Sequence, residues 1–236
     1  MINKILIFTA TYNEVKNIKI FLDLVKSLNI KLDVLVVDDN SPDGTSNVIE
    51  DYKQKNNISV KLITRAKKEG LDTAHKLAYR IAKKEKYDYL ITLDADLSHD
   101  PLKIKIFLNE LQNNSFVIGS RYMEGGKSDL KGFRLLLSYY GNKFIKTVFK
   151  MKCTEFTSSY RGFNLIKLKD FDLDIVSSKG YSFFMETVYQ INKKGIKIKQ
   201  VPIHFSERKK GVSKIPRIEI LRTMFNVLKL AIKNNE

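Results

Sequence analysis

The first half of the chain alternates between short apolar runs and segments with helical periodicity. The apolar runs predict four strands, at residues 5–9, 33–37, 58–64 and 89–94. Between them, apolar residues three or four positions apart predict three helices, at residues 15–28, from the turn at 38–45 to about 55, and at 70–84. Because strands that alternate with helices form parallel sheets with right-handed crossovers, we expect an α/β fold.

The second half begins with a predicted helix and a predicted strand, at residues 101–112 and 116–119. The next segment, at about 130–150, has an apolar stripe at helical spacing, formed by Phe133, Leu137, Tyr140, Phe144 and Val148. A second stripe, which is polar, is formed by Lys131, Arg134, Ser138 and Asn142. Gly132 and Gly141 weaken a single rigid helix, so two short helices are an alternative.

Polar residues gather where three of the predicted strands end, at residues 11–14, 38–39 and 94–96. Ligands of open α/β sheets bind beyond the carboxyl ends of the strands, so we expect one crevice to collect these clusters. Asp94 and Asp96 offer hard carboxylate oxygens, which suit Mg²⁺ or Mn²⁺. Taken alone, the pair could also be a capping aspartate followed by a solvent-exposed one.

The composition is strongly basic. The chain has 42 Lys and Arg residues against 26 Asp and Glu residues, a formal net charge of +16. This charge favours an anionic partner, such as a nucleic acid, an acidic membrane surface or a phosphorylated substrate. A general lysine bias in the composition accounts for part of the excess.

The sequence argues against several classes of protein. Cys153 is the only cysteine, which argues against a disulfide framework or a cysteine-based zinc site and favours a reducing compartment. No apolar stretch is long enough for a transmembrane helix, and the first apolar run is too short for a secretory signal. The glycine motifs of dinucleotide oxidoreductases and P-loop proteins are absent. Acidic strand ends instead favour a nucleotide-sugar transferase.

Four short segments of the sequence indicate a narrower class of protein. They are Thr11-Tyr12-Asn13-Glu14, Val-Asp-Asp-Asn-Ser-Pro-Asp-Gly-Thr at 37–45, Leu-Asp-Ala-Asp-Leu-Ser-His-Asp-Pro at 93–101, and Gly119-Ser120-Arg121-Tyr122. In this order they resemble the inverting GT-A glycosyltransferases of family 2, and among these the dolichyl- or polyprenyl-phosphate mannose synthases. The similarity continues through residues 180–183, 202–203 and 211–214, and so covers nearly the whole chain.

The resemblance implies one GT-A domain over residues 1–236, with a mostly parallel, Rossmann-like sheet flanked by helices. Residues 1–125 would bind the nucleotide sugar, and residues 126–236 would bind the acceptor. The resemblance assigns the nucleotide sugar to Thr11, Tyr12, Asn13, Glu14, Asp38, Asp39, Asp94 and Lys214. It assigns a Mg²⁺ or Mn²⁺ cofactor to Asp94, Asp96 and Ser98.

The implied acceptor, a polyprenyl monophosphate, is already anionic at neutral pH. It therefore needs to be bound and aimed rather than deprotonated, and arginine forks suit phosphate oxygens. The resemblance assigns the acceptor phosphate to Arg121, Arg134, Ser138 and Arg208, and catalysis to Asp94, Asp96 and Arg121. Residues 207–214 have the polar and glycine content of a mobile closing loop.

The chain departs from the family pattern at several positions. The usual Asp-x-Thr-Ser-Gly-x-Arg reads Glu-Phe-Thr-Ser-Ser-Tyr-Arg at 155–161, and Ser159 in place of glycine could change the local backbone. Ser98 stands where a glutamine is common, and Phe184 stands where a polar residue is common. His99 directly follows the Asp-x-Asp pair and is a candidate for a role at the site.

From the resemblance we expect metal-dependent, inverting transfer of mannose from GDP-mannose to a polyprenyl phosphate. The amphipathic segments at about 130–150 and 216–233 would lie on the cytoplasmic face of a membrane, with packing against the sheet as the alternative. The resemblance also allows for a separate membrane subunit.

The sequence also allows two other functions. A family 2 transferase with a UDP-sugar donor or a saccharide acceptor is one alternative, and deprotonating a saccharide hydroxyl would need a carboxylate such as Glu186. A basic nucleic-acid-binding protein is another. It would leave the acidic strand ends unexplained, because carboxylates repel phosphate backbones, so we expect no nucleic-acid partner.

Overall fold

A computed structural model describes residues 3–207 and 218–233, with only the backbone described at 218–221 and 233. The strands in these ranges are β1 (Ile5–Thr11), β2 (Asp33–Asp38), β3 (Ser59–Thr64), β4 (Tyr89–Thr92), β5 (Phe116–Ser120), β6 (Lys127–Ser128), β7 (Arg161–Asn164), β8 (Ile198–Pro202) and β9 (His204–Phe205). The α-helices are α1 (Ile18–Ser27), α2 (Thr45–Lys55), α3 (Leu71–Lys84), α4 (Ile104–Asn113), α5 (Gly132–Val148), α6 (Ser182–Lys193) and α7 (Ile218–Lys233). Short 3₁₀ turns are found at Pro101–Lys103 and Leu173–Ile175.

Seven strands form one sheet in the order β3-β2-β1-β4-β7-β5-β8. Strand β7 runs antiparallel to both of its neighbours, and every other neighbouring pair in this sheet is parallel. Strands β6 and β9 form a separate parallel pair. The mostly parallel sheet with flanking helices confirms the predicted α/β class.

Both faces of the sheet are covered, which explains why the first strands appear in the sequence as continuous apolar runs. Along β1, Leu6 and Phe8 join the apolar core that includes side chains of α3 and α6. Ile5 and Ile7 point to the opposite face and join the core that includes side chains of α1, α2 and α4. Alternate residues of one strand therefore contribute to two different cores.

Strand β7 fits between β4 and β5 through a close approach of helix α4. A Cβ atom at Gly162 would lie 2.9 Å from Leu111 Cδ1 on that helix, so a larger residue would displace the side chains packed there. Gly162 pairs with Ile91 of β4 and with Val117 of β5. This strand has only four residues, and its position depends on neighbours distant in sequence.

Helix α5 is one continuous helix despite its internal glycine, so the alternative of two short helices is wrong. Its apolar residues are only partly covered, and several are exposed on the surface, including Phe133, Leu136, Tyr139 and Tyr140. Helix α7 contacts α5 and also has exposed apolar side chains, namely Met224, Phe225, Leu228 and Ile232. Among the described residues, no helix combines the length and apolar character needed to span a membrane.

Candidate active site

The predicted crevice lies at the carboxyl edge of the main sheet. Strands β2, β1 and β4 are neighbours and parallel, so the polar clusters at 11–14, 38–39 and 94–96 follow adjacent strand ends. Strand β5 ends at the same edge, which brings Ser120 and Arg121 there, and β7 begins there. The fold therefore gathers most of the described residues that the resemblance assigns to the site.

Asp38 organises the loop that follows β2. Its carboxylate is fully buried and accepts hydrogen bonds from Thr11 Oγ1 at 2.6 Å, Ser41 Oγ at 2.6 Å, the Ser41 backbone amide at 2.8 Å and Ser46 Oγ at 2.9 Å. Both oxygens are thus engaged within the protein. These contacts indicate that Thr11 and Asp38 hold the loop, while their direct contact with a nucleotide stays a prediction.

Asp39 carries a partner that the sequence analysis did not identify. Arg65, directly after β3, forms a buried ion pair with Asp39. The Arg65 guanidinium also donates to Thr73 Oγ1 at 2.5 Å and to the Gly70 carbonyl at 3.0 Å, both at the start of α3. The one signal in the sequence was its position after a predicted strand, at the edge where the other site residues lie.

The segment after β1 has one exposed residue between two half-buried ones. The ammonium group of Lys68 lies 4.4 Å from the centre of the Tyr12 ring. Asn13 takes a positive φ of 60°, a conformation that asparagine tolerates better than most residues. Glu14 Oε2 accepts a hydrogen bond from Asn17 Nδ2 at 2.8 Å. Nucleotide binding by these three residues stays a prediction.

Asp94 and Asp96 sit in the turn directly after β4. Asp96 is buried, and its Oδ1 accepts hydrogen bonds from the Ser98 backbone amide at 3.0 Å and from Ser98 Oγ at 2.6 Å. The Asp94 side chain is about one-third exposed, at 34%. Ser98 thus orients Asp96, and its predicted role as a metal ligand stays a prediction.

The donor set in this turn fits a divalent cation. Two carboxylates separated by one residue provide hard oxygen ligands, which Mg²⁺ and Mn²⁺ prefer. The residues described by the structure include no group of three or more His, Cys, Asp or Glu side chains arranged to hold a metal. Two carboxylates are nevertheless enough where substrate phosphates supply the remaining ligands.

His99 lies behind Asp94 with a side chain that is 1% exposed. Its ring packs against the rings of Tyr160 and Phe205, with centroids 5.3 Å and 5.4 Å away. Nδ1 lies 3.4 Å from the Asp94 backbone nitrogen, 3.5 Å from Asp94 Oδ2 and 3.5 Å from Ser159 Oγ. Burial lowers the pKa of His99 more than the nearby aspartates raise it, which keeps the ring neutral at neutral pH.

Arg121 and Glu155 form a buried ion pair beside this turn. Arg121 Nε donates to Glu155 Oε2 at 2.8 Å, and the guanidinium carbon lies 4.3 Å from the centre of the Phe205 ring. Glu155 Oε1 also accepts from Thr157 Oγ1 at 2.8 Å and from the Ser158 backbone amide at 3.1 Å. Burial alone would raise the pKa of Glu155, but Arg121 and these donors hold it below its ordinary value.

The polar stripe of α5 faces the site. Ser138 Oγ accepts a hydrogen bond from the Tyr122 hydroxyl at 2.7 Å, next to Arg121. One turn later, Asn142 Oδ1 accepts from the Phe156 backbone amide at 2.8 Å. Arg134 is exposed one turn before Ser138 on the same face of the helix. The structure therefore links Ser138 to Arg121 through Tyr122, while a role of Arg134 in binding the acceptor stays a prediction.

Two predicted site residues, Arg208 and Lys214, lie outside the described residues, as does most of the predicted closing loop. Glu186, named for the saccharide alternative, is buried in α6. Its carboxylate accepts from the backbone amides of Ser177 at 3.1 Å and Ser178 at 2.7 Å. Burial would raise the pKa of Glu186, but these hydrogen bonds lower it, which argues against its use as a general base.

Arg161 is a second residue that the sequence analysis did not single out. It is 1% exposed, and it donates to the carbonyls of Ser158 at 2.8 Å, Phe156 at 3.0 Å and Phe184 at 2.7 Å. Burial lowers its pKa to about 9. The expected change in backbone at Ser159 is not a left-handed one, because this serine has no positive φ.

Comparisons with known proteins agree with this geometry. The family described as glycosyl transferase family 2 matches residues 6–172. An undecaprenyl-phosphate mannosyltransferase of Micrococcus luteus is 34% identical over 213 residues, which is 90% of this chain and 87% of the relative. A polyprenol monophosphomannose synthase of Mycolicibacterium smegmatis is 31% identical over 230 residues, which is 97% of this chain and 87% of the relative.

Solved structures share the fold. The mannosyltransferase PcManGT from Pyrobaculum calidifontis, solved with GDP-Man and Mn²⁺, has a TM-score of 0.64 at 18% identity, over 98% of this chain and just 64% of its own. Glucosyl-3-phosphoglycerate synthase from Mycobacterium tuberculosis, solved with Mn²⁺, UDP-glucose and phosphoglyceric acid, has a TM-score of 0.71 at 15% identity, over 97% of this chain and 79% of its own. The chain therefore has the GT-A architecture and belongs to glycosyl transferase family 2.

Proposed function

We propose that this glycosyltransferase transfers mannose from GDP-mannose to a polyprenyl phosphate, with inversion at the anomeric carbon. The observation that carries the proposal is the grouping of Arg121, Tyr122 and Ser138 beside the strand end with Asp94 and Asp96. This grouping offers a cation and hydroxyls to an anionic acceptor next to the proposed diphosphate site. The two relatives named for lipid-phosphate mannosyl transfer, at 34% and 31% identity, support the same choice.

The state of the carboxylates favours an acceptor that needs no general base. Among the described residues of this edge, Asp38 is engaged with hydroxyl donors and Asp39 is paired with Arg65. Glu155 is paired with Arg121. Asp94 and Asp96 are given to the metal and diphosphate, so the five carboxylates at residues 38, 39, 94, 96 and 155 all have other roles than deprotonating a sugar hydroxyl. A phosphate monoester is already a nucleophile at neutral pH, so this arrangement suits it.

The mechanism follows from these positions. Asp94 and Asp96 would hold Mg²⁺ or Mn²⁺, which when bound neutralises charge on the leaving diphosphate. Asp39 and Tyr12 would bind the nucleoside, while Arg121 and Arg134 orient the acceptor phosphate towards the anomeric carbon. Glu155 fixes the Arg121 guanidinium in place before the acceptor arrives, so less side-chain entropy is lost when the acceptor binds.

We further propose that the protein acts at the cytoplasmic face of a membrane as a peripheral protein. Support comes from the exposed apolar residues of α5 and α7, which contact each other, together with the net charge of +16. A helix with an exposed apolar stripe and basic neighbours can lie in the interface of an anionic bilayer. This position would bring the lipid phosphate to Arg134, and a separate membrane subunit remains compatible with it.

The test is a transfer assay with radiolabelled GDP-mannose and a short polyprenyl phosphate, followed by extraction into organic solvent. We expect a mannolipid that forms only with both the lipid phosphate and a divalent cation. Label that appears only in a water-soluble glycan, after a saccharide acceptor is supplied, would contradict the proposal. Parallel reactions with UDP-sugars identify the donor.

A further inference from the structure

The two aspartates of the turn after β4 are supported by different neighbours. Asp96 accepts two hydrogen bonds from Ser98, at 2.6 Å and 3.0 Å, and is itself buried. Asp94 is about one-third exposed, and the buried imidazole of His99 lies against both its backbone and its carboxylate. Directly after Asp96, Leu97 takes a positive φ of 65°, which is uncommon for a residue of this type.

Either neutral form of the imidazole links His99 to Asp94. With Nδ1 unprotonated, the ring accepts from the Asp94 amide at 3.4 Å; with Nδ1 protonated, it faces Asp94 Oδ2 and Ser159 Oγ, each at 3.5 Å. Nε2, on the other side of the ring, is buried and has no hydrogen-bond partner among the residues that the structure describes. A buried nitrogen without a hydrogen bond is unfavourable, so packing alone would favour an apolar residue between Tyr160 and Phe205.

We propose that His99 is a positioning residue, whose Nδ1 holds Asp94 in the orientation that binds the cation and diphosphate. The inference rests on the proposed function, because that function gives Asp94 its ligand. It goes further by naming a ring nitrogen that contacts Asp94 and helps to orient it. The rest of the imidazole fills space between two aromatic rings. Partners behind a metal ligand commonly change metal affinity about 10–100-fold when they are replaced.

Two substitutions separate positioning from packing. The amide of His99→Asn reaches the place of Nδ1 but leaves a void where the rest of the ring was. The amide of His99→Gln reaches towards Nε2 and fills more of the space, but it gives up the contact with Asp94. If His99 positions Asp94, the His99→Asn variant should bind GDP and Mn²⁺ better than His99→Gln. Because glutamine fills more of the space, His99→Gln should be the more stable variant.

The experiment is calorimetric titration of GDP into the full chain, with and without Mn²⁺, alongside urea unfolding of each variant. We expect His99→Gln to weaken Mn²⁺-dependent GDP binding by at least about tenfold. We expect His99→Asn to bind more tightly than His99→Gln although it is the less stable of the two. Binding without Mn²⁺ should change little in either variant.

Asp94→Asn, titrated in the same way, separates this inference from the proposed function. If Asp94→Asn loses the Mn²⁺ effect and both His99 variants bind like the wild type, the positioning role is wrong and the metal site stands. The positioning role is also wrong if the order of GDP affinities follows the order of stabilities, so that His99→Gln binds more tightly than His99→Asn. If Asp94→Asn itself binds GDP and Mn²⁺ like the wild type, the proposed metal site fails and the positioning role fails with it.

Discussion

At the scale of single residues, the carboxylates of the sheet edge differ in what they contact. Asp38 and Glu155 are buried and accept hydrogen bonds from protein donors, so they shape the site. The sequence could predict that these residues lie together, because their strands end at one edge. It could not predict the pairs Asp39–Arg65 and Arg121–Glu155, because each joins segments whose distance depends on the folded sheet.

Removing the charge of either proposed metal ligand should abolish most turnover. We expect Asp94→Asn and Asp96→Asn each to lower kcat/KM by on the order of a hundredfold or more, since the leaving diphosphate loses charge stabilisation. Asp100→Asn is the matched control, because this exposed aspartate caps the next 3₁₀ turn through a hydrogen bond to the Leu102 amide at 2.9 Å. Mannosyl transfer and thermal unfolding are measured together, and normal turnover in both variants would rule out the assignment.

The buried ion pair should contribute strongly to stability. Glu155→Gln leaves the Arg121 guanidinium buried without a counter-charge, so we expect a loss of about 3–5 kcal/mol in the free energy of unfolding at pH 7. Glu110→Gln, which removes the partly exposed pair with Lys199, should lose no more than about 1 kcal/mol. Urea denaturation measures both. Equal losses in the two variants would mean that Arg121 finds solvent or another partner.

At the scale of secondary structure, the sequence pattern was informative where a strand has an apolar run of its own. It predicted β1 to β5 and most helices, but not β7 or β8. Strand β7 is four residues long, and it is held by pairing with β4 and β5 rather than by its own apolar pattern. The two stripes on α5 were visible, yet only the fold shows that the polar one turns inward at Ser138 and Asn142, where Asn142 accepts from Phe156.

Helix α5 gives a prediction about the acceptor. Arg134→Ala should raise the KM for a polyprenyl phosphate about 10–100-fold and leave the KM for the donor nearly unchanged, since a charged hydrogen bond to phosphate is lost. Lys143→Ala is the control, because Lys143 is an exposed cation on the opposite side of the same helix. Steady-state kinetics with each substrate varied in turn gives both constants. Similar effects of the two substitutions would indicate general charge attraction instead of a site.

The contact between α3 and α6 gives a prediction about pH. His75 packs against the rings of Phe8 and Phe184, with centroids 4.9 Å and 5.0 Å away, and burial lowers its pKa from 6.5 to about 3. As the pH falls through 6.5, His75 therefore becomes protonated in the unfolded chain but stays neutral in the folded chain. The stability due to the neutral ring is present above pH 6.5 and is lost as the pH falls towards 3.

His75→Phe removes this proton uptake. Between pH 7.5 and pH 5, the free energy of unfolding of the wild type should fall by roughly 2 kcal/mol more than that of the variant. Urea denaturation at the two pH values gives the difference, and other titrating groups, including His99, cancel because both proteins contain them. Parallel pH dependence in the two proteins would show that His75 is protonated in the folded state.

At the scale of the whole molecule, charge and exposed apolar surface act together. A net charge of +16 accompanies two contacting helices with exposed apolar residues, which favours an anionic bilayer over a nucleic acid as the partner. The arrangement as one domain, with residues 1–125 for the nucleotide sugar and 126–236 for the acceptor, stays a prediction. The sequence motifs were enough to predict the family, because they lie in loops whose residues the catalytic chemistry constrains.

In the proposed reaction, a divalent cation and a lipid phosphate act together on GDP-mannose. We would test this by measuring nucleotide release from a panel of GDP- and UDP-sugars, with and without Mn²⁺ or Mg²⁺, and with and without a short polyprenyl phosphate. We predict release from GDP-mannose that requires both the metal and the lipid phosphate. Release that ignores the lipid phosphate, or that begins only when a saccharide is added, would contradict the account and would remove the acceptor roles of Arg121 and Arg134.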